Sequence, residues 1–214
     1  MGNCNNTKAM RRKVYLIGGT GAIGRHLCSI FDHEKYDVDS FNSKEMPLPE
    51  LEHEEADIVI NLAGITTQGE MCNFDPRAKA VININCIGAV NILNTFLPYM
   101  QKQGYGRIIF ISSVYSAINI KKQGIYSASK AFVDKLVKIA ALENTQYGIT
   151  VNSIQLGYMG MGIGSMSIND TEKAMLRIGM ERFCTPKELY STIEYIINTE
   201  YLTGQNIRLD GGIR

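Results

Sequence analysis

The sequence predicts a single α/β domain built on a doubly wound parallel sheet. Short apolar runs of β-forming residues alternate with longer segments whose apolar residues recur at helical spacing, which is the pattern of parallel strands joined by crossover helices. The chain has 214 residues and 45% of them are hydrophobic, which suits one core and is small for two. We therefore expect one domain over residues 13–214, preceded by a flexible lead at residues 1–12.

About six strands are expected, with seven as the alternative. The first strand enters a glycine cluster, and the second is weaker than the others. Ligands of such sheets bind outside the carboxyl ends of the strands, so the chemistry is expected directly after them. The predicted strands are residues 14–17, 37–42, 57–61, 107–112, 150–155 and 206–210.

Four segments are predicted to be helical. Residues 76–101 and 126–147 are long and carry apolar residues at helical spacing. Residues 25–31 follow the glycine cluster. Residues 186–199 begin with Pro186, whose missing N–H costs nothing in the first turn of a helix.

Composition excludes several classes of function. A formal net charge of +1 gives no reason to expect nucleic acid or an anionic membrane as a partner. The five cysteines contain no C-x-x-C pair, which favours reduced thiols over disulfides or a metal site. No apolar run approaches the length that crosses a bilayer, so a cytoplasmic protein is expected. Gly2 and Cys4 resemble an acylation start, but Asn6 stands where that motif needs Ser or Thr, and acylation stays open.

A glycine-rich turn follows the first predicted strand. It contains a G-x-G-x-x-G pattern, and glycines there allow positive φ and a close approach of the backbone to a pyrophosphate at the start of the next helix. The pattern alone also fits an ordinary strand-to-helix turn, but its position between a strand and a helix is the one that dinucleotide binding requires. The predicted cofactor turn comprises Gly18, Gly19, Thr20, Gly21, Ala22, Ile23 and Gly24.

The end of the second strand bears on the choice between NAD and NADP. An acid at this point binds the ribose 2′-hydroxyl and repels a 2′-phosphate. Asp39 lies inside the predicted strand, whereas Asn42, Ser43 and Lys44 fall at its end and could donate to a phosphate. The sequence therefore favours NADP(H) over NAD(H), with NAD(H) as the alternative.

Four residues form a candidate catalytic set. Tyr126 and Lys130 are spaced i, i+4 on one helix face, so an ammonium can favour the phenolate of a tyrosine whose ordinary pKa is about 10. Ser113 follows a strand and could polarise a carbonyl at the sheet edge. Asn85 is a polar residue amid apolar neighbours and needs a hydrogen-bond partner. Each alone also fits simple packing, and their convergence favours catalysis.

Together these residues resemble the short-chain dehydrogenase/reductase family, over residues 14–212. The serine thirteen positions before the tyrosine is Ser113, and the Y-x-x-x-K pair is Tyr126 and Lys130. Asn85 is followed by the expected Gly88. The family's N-N-A-G strand end corresponds to Asn61, Leu62, Ala63 and Gly64, and its C-terminal T-G-Q and D-G-G to residues 203–205 and 210–212.

The resemblance implies a Rossmann-like fold and a role for each residue. Tyr126 is the proton donor and acceptor, Lys130 lowers its pKa and holds the nicotinamide ribose, Ser113 orients the carbonyl, and Asn85 supports a water relay. The cofactor turn, Asn61 to Gly64, Gly157 and Met159 are then expected to contact the cofactor.

The chain also departs from the family pattern. Leu62 replaces the second asparagine of the strand end, and Ile17 replaces the usual threonine of the turn. The 37 positions from Gly24 to Asn61 leave little room for the customary third strand and its helix, so six strands and a trimmed adenine pocket are expected.

Residues 158–182 occupy the place of a substrate lid. They hold five methionines, including Met161 where the family has a threonine, and three glycines that could act as hinges. Because methionine adapts to irregular apolar partners, the segment fits a flexible cover and simple core packing equally well.

The function expected from sequence is an NAD(P)-dependent carbonyl reductase or alcohol dehydrogenase. Its substrate would be a ketone or secondary alcohol, such as a ketoacyl, keto-sugar or polyketide-like metabolite. A catalytically silent NAD(P)-binding sensor or scaffold, and a nucleotide-sugar epimerase or dehydratase, are the alternatives. By resemblance, the helices at 76–101 and 126–147 should form a homodimer or homotetramer interface.

Overall fold

A computed structural model describes residues 11–42, 55–73, 75–162 and 168–213 of the chain. Six strands in these residues form one sheet in which every neighbouring pair is parallel. The strands are β1 (Arg12–Ile17), β2 (Tyr36–Phe41), β3 (Ile58–Asn61), β4 (Gly106–Ser113), β5 (Ile149–Leu156) and β6 (Asn206–Leu209). Their order across the sheet is β2-β1-β3-β4-β5-β6.

Helices connect these strands except between β2 and β3, where residues 43–54 lie outside the described ranges. One of these helices changes its hydrogen-bonding pattern along its length: α2 continues as a π-helix at Ile82–Ile87 and then as α3. The α-helices are α1 (Ala22–Ile30), α2 (Ala78–Val81), α3 (Gly88–Gln103), α4 (Gly124–Asn144), α5 (Ile168–Met175) and α6 (Pro186–Asn198).

Successive side chains along each strand point to opposite faces of the sheet, and they pack into two cores, one on each face. On β1, Tyr15 belongs to the core covered by α3 and α4, whereas Leu16 belongs to the core covered by α1 and α6. Phe96 of α3 and Leu27 of α1 are both fully buried. Burying such a side chain contributes about 1.5–3 kcal/mol, so each helix is held by its apolar face.

The local sequence of α6 sets where this helix begins. Thr185 accepts a hydrogen bond from the Glu188 backbone N–H at 3.3 Å, and Glu188 accepts one from the Thr185 backbone N–H at 2.8 Å. This reciprocal capping box, with Pro186 in the first turn, satisfies donors that a helix start leaves unpaired.

The predicted fold class is confirmed. All six predicted strands and the four predicted helices are present. Among the described residues no strand pairs with the outer side of β2, so β2 is an edge of the sheet. The π-helix within the predicted helix at 76–101 was not expected. Residues 1–10 and 163–167, part of the predicted lead and lid, lie outside the described residues.

Contrary to the expectation from sequence, the helical run Ala78–Gln103 is, by length and composition, apolar enough to cross a membrane, with a mean hydropathy of 1.5. Its side chains Ile92, Phe96 and Met100 are nevertheless buried in the core against the sheet. Core helices of soluble domains have this composition, so the apolar character has a sufficient explanation within the fold.

Candidate active site

The carboxyl ends of β1, β3, β4 and β5 lie at one edge of the sheet, where parallel α/β domains bind ligands. Ile17 pairs with Asn61, and Asn61 in turn with Phe110, so the glycine turn, the segment after β3 and the serine after β4 emerge side by side. The predicted site residues on these segments are therefore neighbours in space.

Tyr126 and Ser113 face each other across this edge. Ser113 is buried at the end of β4, and its hydroxyl lies close enough to the half-buried phenol of Tyr126 to act on the pKa of that phenol. Ser113 Oγ also accepts a hydrogen bond of 3.2 Å from the Tyr115 backbone N–H, which fixes the serine rotamer. Burial raises the pKa of Tyr126, and the hydrogen bond from Ser113 acts in the opposite direction.

Lys130 lies one turn beyond Tyr126 on the same face of α4. It is buried, and its Nζ donates to the Ile111 carbonyl of β4 at 2.8 Å while lying 6.0 Å from the centroid of the Tyr126 ring. Burial lowers the pKa of Lys130 to about 8, against opposing effects of Asp134 and Cys86. The ammonium is therefore held near the phenol and titrates close to neutrality.

The π-helix carries Asn85 into the interior. Its Oδ1 accepts from the Ile65 backbone N–H at 2.9 Å, and its Nδ2 donates to the Ile65 carbonyl at 3.0 Å and to Ser129 Oγ at 2.9 Å. Ser129 in turn donates to the Tyr126 carbonyl at 2.7 Å. Asn85 thus joins the loop after β3 to the helix that holds Tyr126 and Lys130.

Ser129 was not among the predicted site residues. It is fully buried and links Asn85 to the backbone of Tyr126, so it positions the catalytic helix. The only sequence signal was its place directly before Lys130. That signal was weak, because a serine there also fits an exposed helix position.

Gly64 lies in a cradle formed by the side chains of Lys130 and Asn85. A Cβ at this position would lie 3.2 Å from Lys130 Nζ and 3.4 Å from Asn85 Oδ1. Any side chain at this position would press against the lysine and the asparagine, so the close approach of the backbone favours glycine.

The glycine turn packs tightly against its neighbours. Gly18 has φ +81, and a Cβ there would lie 2.8 Å from the Ala63 backbone nitrogen. A Cβ at Gly24 would lie 2.4 Å from the Gly19 Cα. These close approaches require glycine, because backbone cannot move aside as a side chain can.

The start of α1 offers hydrogen-bond donors to an anion. Gly21 is its N-cap and no side chain caps the helix, so the first N–H groups lack intrahelical partners. Ala22 and Ile23 form this first turn, and the Thr20 carbonyl accepts a hydrogen bond from Arg25. This geometry fits a phosphate group.

The residues predicted to select between NADP and NAD lie at the end of β2. Phe41 accepts hydrogen bonds from the Gly18 and Gly19 N–H groups at 2.8 and 3.1 Å, which places the strand end beside the turn. Asn42 follows directly, whereas Ser43 and Lys44 lie outside the described residues.

The remaining predicted cofactor residues divide into two groups. Asn61 is buried and its Oδ1 accepts from the Ala63 N–H at 3.0 Å, which shapes the segment through Leu62 toward Gly64. After β5, Gly157 packs against Asp210, and Met159 is only 3% exposed within the core on the α1 and α6 face. The Met159 side chain therefore packs into the core and does not face the catalytic set.

Two further tyrosines lie beside the catalytic set and were not predicted. The Tyr115 ring is edge-on to the Tyr126 ring at 6.1 Å, and its hydroxyl lies 2.8 Å from that of Tyr158. Burial and this hydrogen bond raise the pKa of Tyr115. Phe183 lies beyond Tyr158, at 6.4 Å between ring centroids. Tyr115 and Tyr158 thus form an aromatic wall beside Tyr126, with a polar seam where their hydroxyls meet.

Comparisons with known proteins point to one family. The sequence model described as short chain dehydrogenase matches residues 49–172. The acetoacetyl-CoA reductase of Allochromatium vinosum is 32% identical over 184 residues, which are 83% of this chain and 74% of the relative. The 3-oxoacyl-[acyl-carrier-protein] reductase FabG of Thermotoga maritima is 34% identical over 161 residues, which are 73% of this chain and 65% of the relative.

Solved structures share the fold at lower sequence identity. The structure of ElxO with NADP bound superposes with a TM-score of 0.84 at 20% identity, covering 95% of this chain and 98% of that chain. This likeness establishes the architecture, because the order of strands and helices is preserved where few residues are identical.

Proposed function

This chain belongs to the short-chain dehydrogenase/reductase family and is an NAD(P)-dependent oxidoreductase, and on that premise we propose that it interconverts a ketone and a secondary alcohol. The observation that carries the proposal is the convergence of Ser113, Tyr126, Lys130 and Asn85 at one sheet edge, around the cradle at Gly64.

Ser113 and Tyr126 perform the proton chemistry in this proposal. The Ser113 hydroxyl lies close enough to the Tyr126 phenol to act on its pKa, so one carbonyl oxygen bound beside them would accept from both hydroxyls. A bound nicotinamide supplies the hydride during reduction and accepts it during oxidation. Tyr126 gives its proton to the forming alkoxide, which prevents charge from accumulating on oxygen.

Burial and Lys130 act on the protonation of the Tyr126 phenol in opposite directions. Burial raises the pKa of Tyr126 and favours the protonated acid that reduction needs. Oxidation of an alcohol needs the phenolate instead, and the Lys130 ammonium favours it. The polar atoms of Lys130 and Asn85 beside Gly64 are suited to a ribose hydroxyl.

A β-ketoacyl thioester is the first substrate class to test. The relatives named above are reductases of acetoacetyl-CoA and of 3-oxoacyl groups on a carrier protein. The seam between the Tyr115 and Tyr158 hydroxyls offers polar contacts beside Tyr126 that a second carbonyl could use. Keto-sugar and polyketide-like ketones are the other classes to include.

NADP(H) is the proposed cofactor, ahead of NAD(H). The strand end at Asn42, with Ser43 and Lys44 after it, carries donors and one cation suited to a 2′-phosphate. A structural neighbour, ElxO, binds NADP. The glycine turn and the start of α1 would hold the pyrophosphate in either case.

We further propose a homodimer or homotetramer in the cytoplasm. Phe132, Ile139 and Leu142 on α4 and Ile82 and Ile87 on the π-helix are exposed although they are large and apolar. Such patches mark association surfaces. The two helices are the ones that the sequence indicated for this role.

Calorimetric titration of the purified protein with NADPH and separately with NADH tests the cofactor. A screen of ketones, led by acetoacetyl thioesters, then follows the absorbance of the reduced nucleotide. The proposal expects tighter binding of NADPH and ketone-dependent oxidation. Binding of neither nucleotide would overturn it.

Tyr126→Phe tests the site. We expect a fall of about 10²–10⁴ in kcat with nucleotide binding retained, because the ring stays and only the proton donor is lost. The matched control is Tyr195→Phe, which removes an exposed phenol on α6, on the other face of the sheet. Equal losses in both variants would contradict the role of Tyr126.

A further inference from the structure

α4 carries a buried carboxylate as well as the buried lysine. Asp134 is 5% exposed and one helical turn beyond Lys130 on α4. Three polar side chains contact its oxygens. Ser153 Oγ lies 2.8 Å from Oδ1, and Gln155 Nε2 and Ser116 Oγ lie 2.7 Å and 2.5 Å from Oδ2. Carboxylates are rarely buried unless such donors compensate for the lost water.

The groups around this carboxylate come from three elements. Ser153 and Gln155 lie on β5, Ser116 on the short 3-10 helix after β4, and Lys130 on α4 itself. None of the three hydrogen-bonding partners carries a charge. The cation on which the Asp134 charge acts is Lys130. Its i, i+4 spacing from Asp134 places both side chains on one helix face.

The titratable groups that act on Lys130 are few in the described part of the chain. Asp134 from α4 favours the ammonium, and so does Cys86 from the π-helix. Tyr126 lies on the other side, on α4. A thiol is neutral at neutral pH, so Asp134 is the main source of negative charge near the lysine.

Asp134 also reaches the catalytic serine. Ser116 Oγ, which contacts Asp134, lies 2.8 Å from the Ser113 carbonyl oxygen as well. Gln155 Nε2 donates to the same Ser116 hydroxyl at 3.0 Å. The carboxylate therefore joins α4, β5 and the segment that begins at Ser113.

We propose that Asp134 is a positioning residue of the active site, whose charge keeps Lys130 an ammonium and whose hydrogen bonds fix the segment after Ser113. This inference rests on the proposed function, because it assigns the carboxylate a part in the same proton chemistry. Through Lys130, Asp134 sets the pH range in which Tyr126 can act as a base.

Asp134→Asn removes the charge and keeps the shape. The Ser116 and Ser153 hydroxyls can rotate and the Gln155 amide can flip, so the new amide can be satisfied. We expect the pKa of Lys130 to fall and the rising limb of kcat/KM for alcohol oxidation to move up by about one pH unit, since a neutral lysine no longer favours the phenolate. At neutral pH, kcat should fall about tenfold while the nucleotide Kd stays within about twofold.

Two control variants separate charge from structure. Ser153→Ala removes one hydrogen bond to Asp134 and leaves the charge, so it should lower the Tm without moving the pH profile. Asp134→Glu keeps the charge with a longer side chain and should restore the profile, even at a lower Tm. If Asp134→Asn is unstable alone, saturating NADPH will stabilise its folded state for the comparison.

Nuclear magnetic resonance provides a readout that needs no turnover. In protein labelled with ¹³C at lysine Cε, the Lys130 signal is the one lost in Lys130→Met, and its midpoint should lie near 8 in the parent chain. A lower midpoint in Asp134→Asn supports the proposal even if no ketone is turned over, in which case the proposed function alone fails. An unchanged midpoint, or a shift of equal size in Ser153→Ala, overturns it.

Discussion

The sheet holds its two candidate sites by different means. The catalytic end is the side of the sheet with β4 and β5, and the nucleotide end is the side with β1 and β2. At the catalytic end, all eight residues of β4 are buried, and polar side chains from β5, the π-helix, α4 and the 3-10 helix after β4 hydrogen-bond to one another. At the nucleotide end, β2 is an edge strand with one buried residue among its six, and the turn beside it is built from glycine backbone. The catalytic end therefore depends on side-chain chemistry, and the nucleotide end on the absence of side chains.

The largest effect is expected from the buried lysine of the catalytic end. The pKa of Lys130 is about 8 in the folded chain, against an ordinary value of 10.5. Between these values the unfolded chain binds more protons, so the lysine makes stability rise with pH in this window. The free energy of unfolding of the parent relative to Lys130→Met should rise by about 3 kcal/mol across it.

Urea unfolding of both chains at several pH values measures this difference. Other groups titrate equally in both and cancel. A difference that is flat between pH 8 and 10.5 would mean that Lys130 is solvated in solution, and the catalytic end would then be less closed than described.

At the nucleotide end, Gly24→Ala should cost about 2 kcal/mol of stability and abolish nucleotide binding, because the new Cβ meets only backbone atoms of Gly18 and Gly19. Gly88→Ala is the matched control, since its Cβ would lie 3.8 Å from the nearest atom, the Asn83 oxygen. Thermal unfolding and NADPH titration measure both effects. Similar losses in the two variants would contradict the tight turn.

The smallest effect compares one truncation at both ends. Val151 of β5 is fully buried, whereas Val38 of β2 is only partly buried. Val151→Ala should cost about 2 kcal/mol and Val38→Ala less than about 1 kcal/mol, because a cavity forms only where packing is closed. Urea midpoints of the two variants give the comparison. Equal costs would show that the edge strand is covered in solution, by the residues outside the described ranges or by a partner.

Sequence reasoning reached the fold because its signals are local. Strand and helix patterns depend on neighbours along the chain, and the predicted β4 and β5 differ from the observed ones by one residue at each end. The catalytic set was predicted from spacing and from a family resemblance, and its roles stay predictions. The structure does bring Ser113, Tyr126, Lys130 and Asn85 together.

What escaped prediction depends on contacts between distant segments. The apolar spacing before Gly88 fits an α-helix, so the sequence did not predict the π-helix. The one indication of it was a polar residue, Asn85, among apolar neighbours. Asp134 has the same i, i+4 relation to Lys130 that Tyr126 has, yet its partners Ser116 and Ser153 lie on other elements. Periodicity carries no information about such partners.

The all-parallel sheet also governs how the protein folds. Each pair of neighbouring strands is joined through a crossover, so no pair can form as a simple hairpin, and Ser153 finds its partner Asn206 only after a long segment has closed. Proteins dominated by such distant pairings fold slowly. Because four strand ends contribute to the active site, regain of activity after dilution from denaturant should lag behind regain of helical signal and mark the final step of folding.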